Sequence, residues 1–407
     1  LRGNPDHPYS YGELCPKVNR FLDRVYSPDR ILHPLRRSGP KGSGRFERVT
    51  WDDALAEIAS RLHQILDEHG GEAILPYSDA GNQSLLATEG VSERFFNHLG
   101  ASRLLRNICG PTVGAGISMT NGTGLCADPV DLEHSRLIIL WATNTRLTNR
   151  HLWPVIERAR ASGAELVVID PIRTMTADVA DRFIQPLPGT DIAMILAMMH
   201  VIIRDGLVDR EWVDAHTLGF DELVDGVGDA TPAWAAERTG VDADVIEDLA
   251  LRYARTRPAA IRTLIGGEHH ENGAMLYRTM ACLPALTGAW RDRGGGLMRS
   301  VGSWQGQLVD EAALHRPDLL NGREPRTFNM SRLGEILLDE PDPVRALIVW
   351  NSNPLVIVPN AERAREGMAR DDLFTVVHEQ FLTDTAQYAD IVLPATTHIE
   401  ADDVTPS

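Results

Sequence analysis

The chain has 407 residues, 43% hydrophobic and 24% charged, which is enough for two or three packed domains. Its 57 acidic and 40 basic side chains leave a formal net charge of −17, which argues against nucleic acid and anionic membrane surfaces as partners. Four scattered cysteines without a C-x-x-C pair argue against a disulfide scaffold and a zinc site, and no apolar run reaches the roughly 18 residues of a membrane span.

In chain order, residues 1–45 are rich in Pro, Gly and Arg with little periodic pattern, so something other than their own core must hold them. The chain begins with Leu and no signal-peptide pattern leads it, so we expect a fragment or a processed chain. Thr50-Trp51-Asp52-Asp53 caps a helix with Ala54, Leu55, Ile58, Leu62, Ile65 and Leu66 on one face. A strand at Ala73–Tyr77 and a helix at Ser84–Leu99 follow. Leu104–Gly124 carries too many glycines to be expected as a core element.

Leu137–Trp141 reads as a strand buried on both faces. It ends in Ala142-Thr143-Asn144 and is followed by a helix over about 149–161 and a strand at Leu166–Ile169 ending in Asp170-Pro171. Such a strand–loop–helix–strand unit implies parallel strands with a right-handed crossover. Pro186–Asp191 (PLPGTD) caps an apolar helix at Ile192–Ile203, residues 205–258 read as short helices, and Ala259–Ile265 is a strand running into Gly266–Gly273. A helix then extends over about 274–286, and residues 288–343 show little pattern. Leu347–Trp350, Asn351-Ser352-Asn353-Pro354, a helix over about 360–370 and Leu373–Val377 repeat the earlier unit. Ile391–Leu393 adds one more strand. Both copies put Trp and then Ser/Thr-Asn at the strand's carboxyl end, and both carry Glu-Arg-Ala-Arg on the helix. Two ordinary α/β units sharing common residues is the alternative.

The pattern predicts an α/β protein with parallel sheets, whose ligands bind at the strands' carboxyl ends. Loop amides at helix N-termini suit phosphate oxygens, with Arg146, Arg150, His151 and Arg173 close by. Asp170 suits a ribose or a base amino group. Neither G-x-G-x-x-G nor a Walker A sequence is present, so the two equivalent loops predict two nucleotides, or one large ligand with two such ends.

Several motifs occur in one order from end to end: His7-Pro8 with Gly12-x-Leu14-Cys15-x-Lys17, Ser27-Pro28-x-Arg30, Thr50-Trp51-Asp52-Asp53-Ala54, Trp141-x-x-Asn144, Ile169-Asp170-Pro171, Pro188-Gly189-Thr190-Asp191, Leu286-Thr287-Gly288, Trp350-x-x-Asn353-Pro354 and Ala389-Asp390-Ile391-Val392-Leu393-Pro394. In these the chain resembles the molybdopterin oxidoreductases of the dimethyl sulfoxide reductase and formate dehydrogenase superfamily. The resemblance implies molybdenum or tungsten held by bis-molybdopterin guanine dinucleotide, with Lys17, Asn144, Asp170, Arg173, Gly189, Thr190, Asp191, Asn351, Asn353 and Pro354 at the cofactor. The Asn144 and Asn353 loops are expected to flank one ligand cleft, with Asp170 and Asp191 on one guanine nucleotide.

Cys15 matches the last of four ligands to a 4Fe-4S cluster; a buried thiol is the other reading. Cys109 falls where the family places its metal-ligating side chain, and a thiolate is a soft ligand suited to that metal; a small residue in a tight turn is the alternative. Cys126 and Cys282 read as buried thiols. His269 and His270 resemble the Gln-His-x-x-Gly stretch of formate dehydrogenases and are candidates for proton transfer, against plain solvated residues. Arg299–Trp304 departs from the formate dehydrogenase pattern, as does Gly110 after Cys109, which puts formate in doubt.

The resemblance divides the chain into a remnant of an iron–sulfur domain (1–45), a discontinuous α/β domain (46–125 with 325–407) and a second α/β domain (126–324), the two α/β parts being Rossmann-like and related by the pseudo-repeat. It implies a small-molecule substrate and an electron-transfer partner subunit or protein, and we expect a cytoplasmic rather than periplasmic location. A sulfur or oxyanion reductase competes with a formate-type dehydrogenase. The alternatives are a metal-free subunit like the large iron–sulfur subunit of respiratory complex I, and a non-redox hydratase.

Overall fold

A computed structural model describes residues 2–7, 9–81, 83–301, 304 and 308–404, so Pro8 of the first motif and Gly302 and Ser303 of the Arg299–Trp304 stretch lie outside the described residues. The chain forms two compact units, Leu1–Asn19 with Cys109–Trp304 and Arg20–Ile108 with Gln305–Ser407.

The first unit is built on five parallel strands in the order Arg182–Ile184, Glu165–Ile169, Leu137–Trp141, Ala259–Thr263, Gly296–Met298. Leu137–Trp141 is central and wholly buried, as its unbroken apolar run requires. Leu137, Ile139 and Trp141 pack with the apolar helix Asp191–Arg204 and the helices Ala243–Arg255 and Gly273–Thr287, while Ile138 and Leu140 pack with Trp153–Ala161.

The passage 104–124 is not the irregular loop its glycines predict. Pro111–Asn121 is an α-helix with Val113, Gly116 and Ile117 buried against Gly273–Thr287. A Cβ on Gly116 would run into the carbonyl oxygen of Ala274 and lie 3.0 Å from Tyr277 Cβ. The glycine serves close helix approach here, and helix propensity, a matter of about 1 kcal/mol per residue, yields to packing.

The second unit has four parallel strands, Ile391–Pro394, Phe374–Glu379, Ala346–Trp350 and Ile74–Ser78, in that order. Two antiparallel edge strands, Leu35–Arg37 and Phe46–Arg48, continue from Ile391–Pro394. These two lie in or next to the stretch without periodicity, and at three residues each they are too short to show an alternation. Thr50 caps Trp51–His69 by accepting the Asp53 N–H at 3.1 Å, and Ala54, Leu62 and Ile65 are buried as predicted, but Leu55 is exposed. Arg30 of the second motif is a staple. It donates to the carbonyls of Val25 and Ala395 and pairs with Glu400 at 3.0 Å.

Candidate functional site

Both copies of the repeat end their first strand in the same hydrogen-bonded clamp. In the first unit the Asn144 side-chain oxygen accepts the Thr176 hydroxyl at 2.6 Å, and Thr176 Oγ1 accepts the Arg146 N–H at 3.1 Å. In the second, Asn353 accepts the Thr385 hydroxyl at 2.7 Å, and Thr385 Oγ1 accepts the Leu355 N–H at 3.2 Å. The Asn–Thr separation is 32 residues in both. Asp181 and Asp390 then each accept a backbone N–H at the start of the neighbouring strand, from Leu166 and Thr375, both at 2.8 Å and 15 residues away. Ala142 and Asn351, the residues just past the two tryptophans, both turn through positive φ, at 54° and 50°. The paired asparagines thus spend their oxygens on shaping the loops. Thr176, Thr385 and Asp181 escaped the sequence reading, and Asp390 entered it only as part of a motif, although Thr-x-Thr-Ala followed by Ala-Asp occurs in both copies and is a usable signal.

The segments after these loops are single turns, Thr145–Thr148 and Pro354–Ile357, with Pro354 opening the second. The helix expected over about 149–161 begins at Trp153. The longer Asp191–Arg204 starts on an acid: Asp191 is buried, and its Oδ1 accepts the Trp141 indole N–H at 2.8 Å. A carboxylate at a helix N-terminus already answers the dipole, so that end suits donor groups of a ligand better than a phosphate. Asp170 accepts the Ile172 N–H at 2.9 Å; burial, helped by the Asp191 charge, pushes its carboxyl above the usual range. Arg173 is exposed, stands over the Phe183 ring at 4.9 Å and pairs with Asp178 at 3.5 Å. Gly189, at φ +78°, and Thr190 complete that loop, and a Cβ on Gly189 would lie 3.7 Å from the His270 ring.

The loop after Ala259–Thr263 therefore joins this group. His270 Nδ1 accepts the Asn272 N–H at 3.3 Å, while its Nε2 is buried with no hydrogen-bond partner among the described residues. His269 is exposed. Gly266 presses on the backbone of Ala142, so a side chain there would collide with the Ala142 carbonyl oxygen. Glu268, which the sequence reading passed over, is buried and accepts the Val113 N–H at 2.8 Å, tying this loop to the helix that Cys109 precedes.

Cys109 is a half-buried free thiol two residues before Pro111–Asn121. Among the described residues no three His, Cys, Asp or Glu side chains converge as a metal site. Cys126 and Cys282, expected as buried thiols, are half-buried and pack against the core; burial pushes the Cys126 thiol up to about 11 and raises that of Cys282. Cys15 is also half-buried, and the segment around it is held by His151 Nε2 on the Glu13 carbonyl at 3.1 Å and Tyr9 on Asn149 at 3.2 Å. Lys17 lies in Pro16–Asn19, but its side chain is outside the described residues.

The loops fit a polar cofactor. Among the described residues, buried atoms without hydrogen-bond partners include Arg150 Nε, Glu268 Oε1 and His270 Nε2 in loops of the first unit and Asn107 Oδ1 and Ser352 Oγ in loops of the second. The fold is shared with acetylene hydratase from Pelobacter acetylenicus, at TM-score 0.79 and 27% identity over 96% of this chain and 58% of that one. A probable oxidoreductase of Bacillus subtilis, YoaE, is 43% identical over 404 residues, 99% of this chain and 59% of its own length. The Escherichia coli dimethyl sulfoxide reductase DmsA is 31% identical over 95% of this chain and 53% of its own length, and the alpha subunit of the F420-dependent formate dehydrogenase of Methanocaldococcus jannaschii is 30% identical over 99% and 61%. The chain thus spans just over half the length of these relatives. A family model described as molybdopterin oxidoreductase matches residues 30–406, and with 43% identity to YoaE across nearly the whole chain, the protein belongs to that family.

Proposed function

We propose that this chain is part of the catalytic subunit of a molybdenum- or tungsten-dependent oxidoreductase that binds bis-molybdopterin guanine dinucleotide, one nucleotide end on each clamped loop. The observation that carries this is the duplicated Asn–Thr clamp, with the same hydroxyl and loop N–H bonds at the same spacing in the two units. When bound, the cofactor supplies two-electron redox chemistry at a metal, and the protein contributes binding, orientation and electrostatics. Cys109 would ligate the metal, and Asp170 and Asp191 would accept hydrogen bonds from base or sugar donors. His269 and His270 would move protons. Cys15 would be a ligand of a 4Fe-4S cluster that passes electrons singly to a partner, as the alpha-subunit name of the Methanocaldococcus relative accords with. The substrate is a small molecule, a sulfur compound, an oxyanion or formate.

The test is elemental and nucleotide analysis of the full-length protein, with about one molybdenum or tungsten and two guanine nucleotides per chain expected. Protein purified anaerobically with neither metal nor nucleotide refutes the reading and favours a metal-free subunit. The structural likeness to a hydratase supports a second, non-redox reading; turnover without any electron acceptor selects it.

A further inference from the structure

Glu268 has a role open beyond its tie to the helix Pro111–Asn121. Its side chain is 1% exposed. One oxygen, Oε2, accepts the Val113 N–H; the other, Oε1, is buried with no hydrogen-bond partner among the described residues. A buried carboxylate oxygen left bare is costly, so the position calls for a proton or a donor. His269 Nε2 stands 3.6 Å from that oxygen, and its own side chain is 57% exposed, so the pair spans from the buried loop to solvent. The charged groups acting on Glu268 are His269 on its own loop and Arg299 just past Gly296–Met298. Tyr277 of Gly273–Thr287 feels the Glu268 charge and is kept neutral by burial, and Pro111–Asn121 carries no ionisable side chain. Burial pushes the Glu268 carboxyl above the usual range, and the Val113 N–H, Arg299 and His269 when protonated oppose that rise without cancelling it.

We propose that Glu268 is a proton-relay residue, exchanging protons between the ligand end of this loop and solvent through His269. The inference rests on the redox reading above, in which oxidation of a small substrate releases protons and reduction consumes them. In the oxidative direction a proton released at the site binds Oε1, giving the neutral acid. The acid hands it to Nε2 of neutral His269, giving carboxylate and imidazolium, and the imidazolium releases its Nδ1 proton to water. Only protons move on this path; the electrons leave through the iron–sulfur carrier. At 3.6 Å the two groups are just outside hydrogen-bond reach, a gap that rotation of the exposed imidazole closes.

Glu268→Gln separates this role from a structural one, because its amide oxygen still accepts the Val113 N–H while the group no longer ionises. In full-length holoenzyme E268Q should keep wild-type metal and nucleotide content, lose about 10²-fold in kcat, the scale of one general acid–base contribution, and lose one limb of the pH profile. His269→Gln should lower kcat similarly. In cofactor-free protein, infrared titration should show a buried carboxyl band that E268Q abolishes and whose pH midpoint H269Q shifts. Metal-loaded E268Q with wild-type kcat and pH profile overturns the relay and leaves the redox reading intact. A wild type without metal overturns the redox reading, and the infrared arm then decides: no band, or one that H269Q leaves unmoved, overturns the relay as well.

Discussion

Gly116→Ala tests the close helix crossing on which the Cys109 segment rests. The added Cβ would meet the Ala274 carbonyl oxygen, which cannot swing away, and would sit 3.0 Å from Tyr277 Cβ. Tyr277 is itself fixed, fully buried with its hydroxyl on the Gly267 N–H at 3.2 Å and on the Leu264 carbonyl. Pro111–Asn121 must therefore lift off Gly273–Thr287. Overpacking of this kind costs about 1–3 kcal/mol, and replacing a helical glycine by alanine returns up to about 1. A net loss of about 1–2 kcal/mol follows, roughly 2–8 °C in melting temperature at about 2–4 °C per kcal/mol for a unit of this size. Gly226 is the control of opposite sign. It lies in Phe220–Val227, is exposed, and a Cβ there meets nothing within 4 Å. Gly226→Ala should gain about 0.5 kcal/mol. Scanning calorimetry, with amide exchange followed across Gly273–Thr287, reads both. If G116A melts at or above wild type, or G226A falls by as much, the packing argument is wrong.

Thr176→Val and Thr385→Val each remove a hydroxyl that both donates and accepts, so each should cost about 1–3 kcal/mol and speed exchange of the Arg146 or the Leu355 amide, respectively; equal protection in both variants would show that the clamps are idle. Cys109→Ser in full-length protein should keep the cofactor but change the metal's paramagnetic resonance signal and depress turnover, whereas Cys126→Ser should cost only packing; matching signals, metal content and turnover in wild type and C109S would rule Cys109 out as ligand. Pairing with Arg30, helped by Thr397, lowers the Glu400 carboxyl from 4.5 to about 2. A lowered carboxyl contributes stability that is present above the unfolded value and lost as pH falls through the folded one, so denaturant titrations should show wild type losing its advantage over Glu400→Gln between about pH 4.5 and 2. An advantage that stays constant across that window would contradict the assignment.

What the sequence made legible was whatever carries a long unbroken signal. Leu137–Trp141 and Ala346–Trp350 stand out because strands buried on both faces need no polar alternation, and Asp191–Arg204 because it is apolar nearly all round. Three-residue strands gave no such signal. Arg182–Ile184, Gly296–Met298, Leu35–Arg37 and Phe46–Arg48 are held by their neighbours in the sheets and carry no periodicity of their own. Glycine misled at 104–124 because the same residue marks a flexible turn and a close helix contact, and only the partner helix distinguishes them. Of the site, the motif asparagines were visible while the threonines that hold them were not, since Thr176 and Thr385 lie 32 residues downstream in irregular chain. Glu268 was hidden by two neighbouring histidines that drew the functional reading to themselves.

The repeat keeps its clamp and changes the charge around it. Trp141 donates to the Asp191 carboxylate, whereas Trp350 donates to the Thr88 carbonyl at 3.2 Å and stacks on Phe96 with ring centroids 5.3 Å apart. The Asp191 charge acts on Asp170, and among the described residues neither carboxylate has an ion pair. In the second unit Glu400, preceded like Asp191 by an irregular loop, is neutralised by Arg30. Two carboxylates without a cation attract N–H and O–H donors and repel a phosphate. In the first unit Arg150 keeps a buried Nε without a hydrogen-bond partner among the described residues, and the Arg146 guanidinium donates to the Met175 carbonyl and stands over the Trp153 ring. Within the proposed function this polarity would orient a nucleotide in the first unit, with base and sugar toward Asp170 and Asp191 and phosphates toward Arg146 and Arg150. The second unit also ends the corresponding strand on an acid, Glu379, so what differs between the two clamped loops is the salt-bridged Glu400 set against the unpaired Asp191.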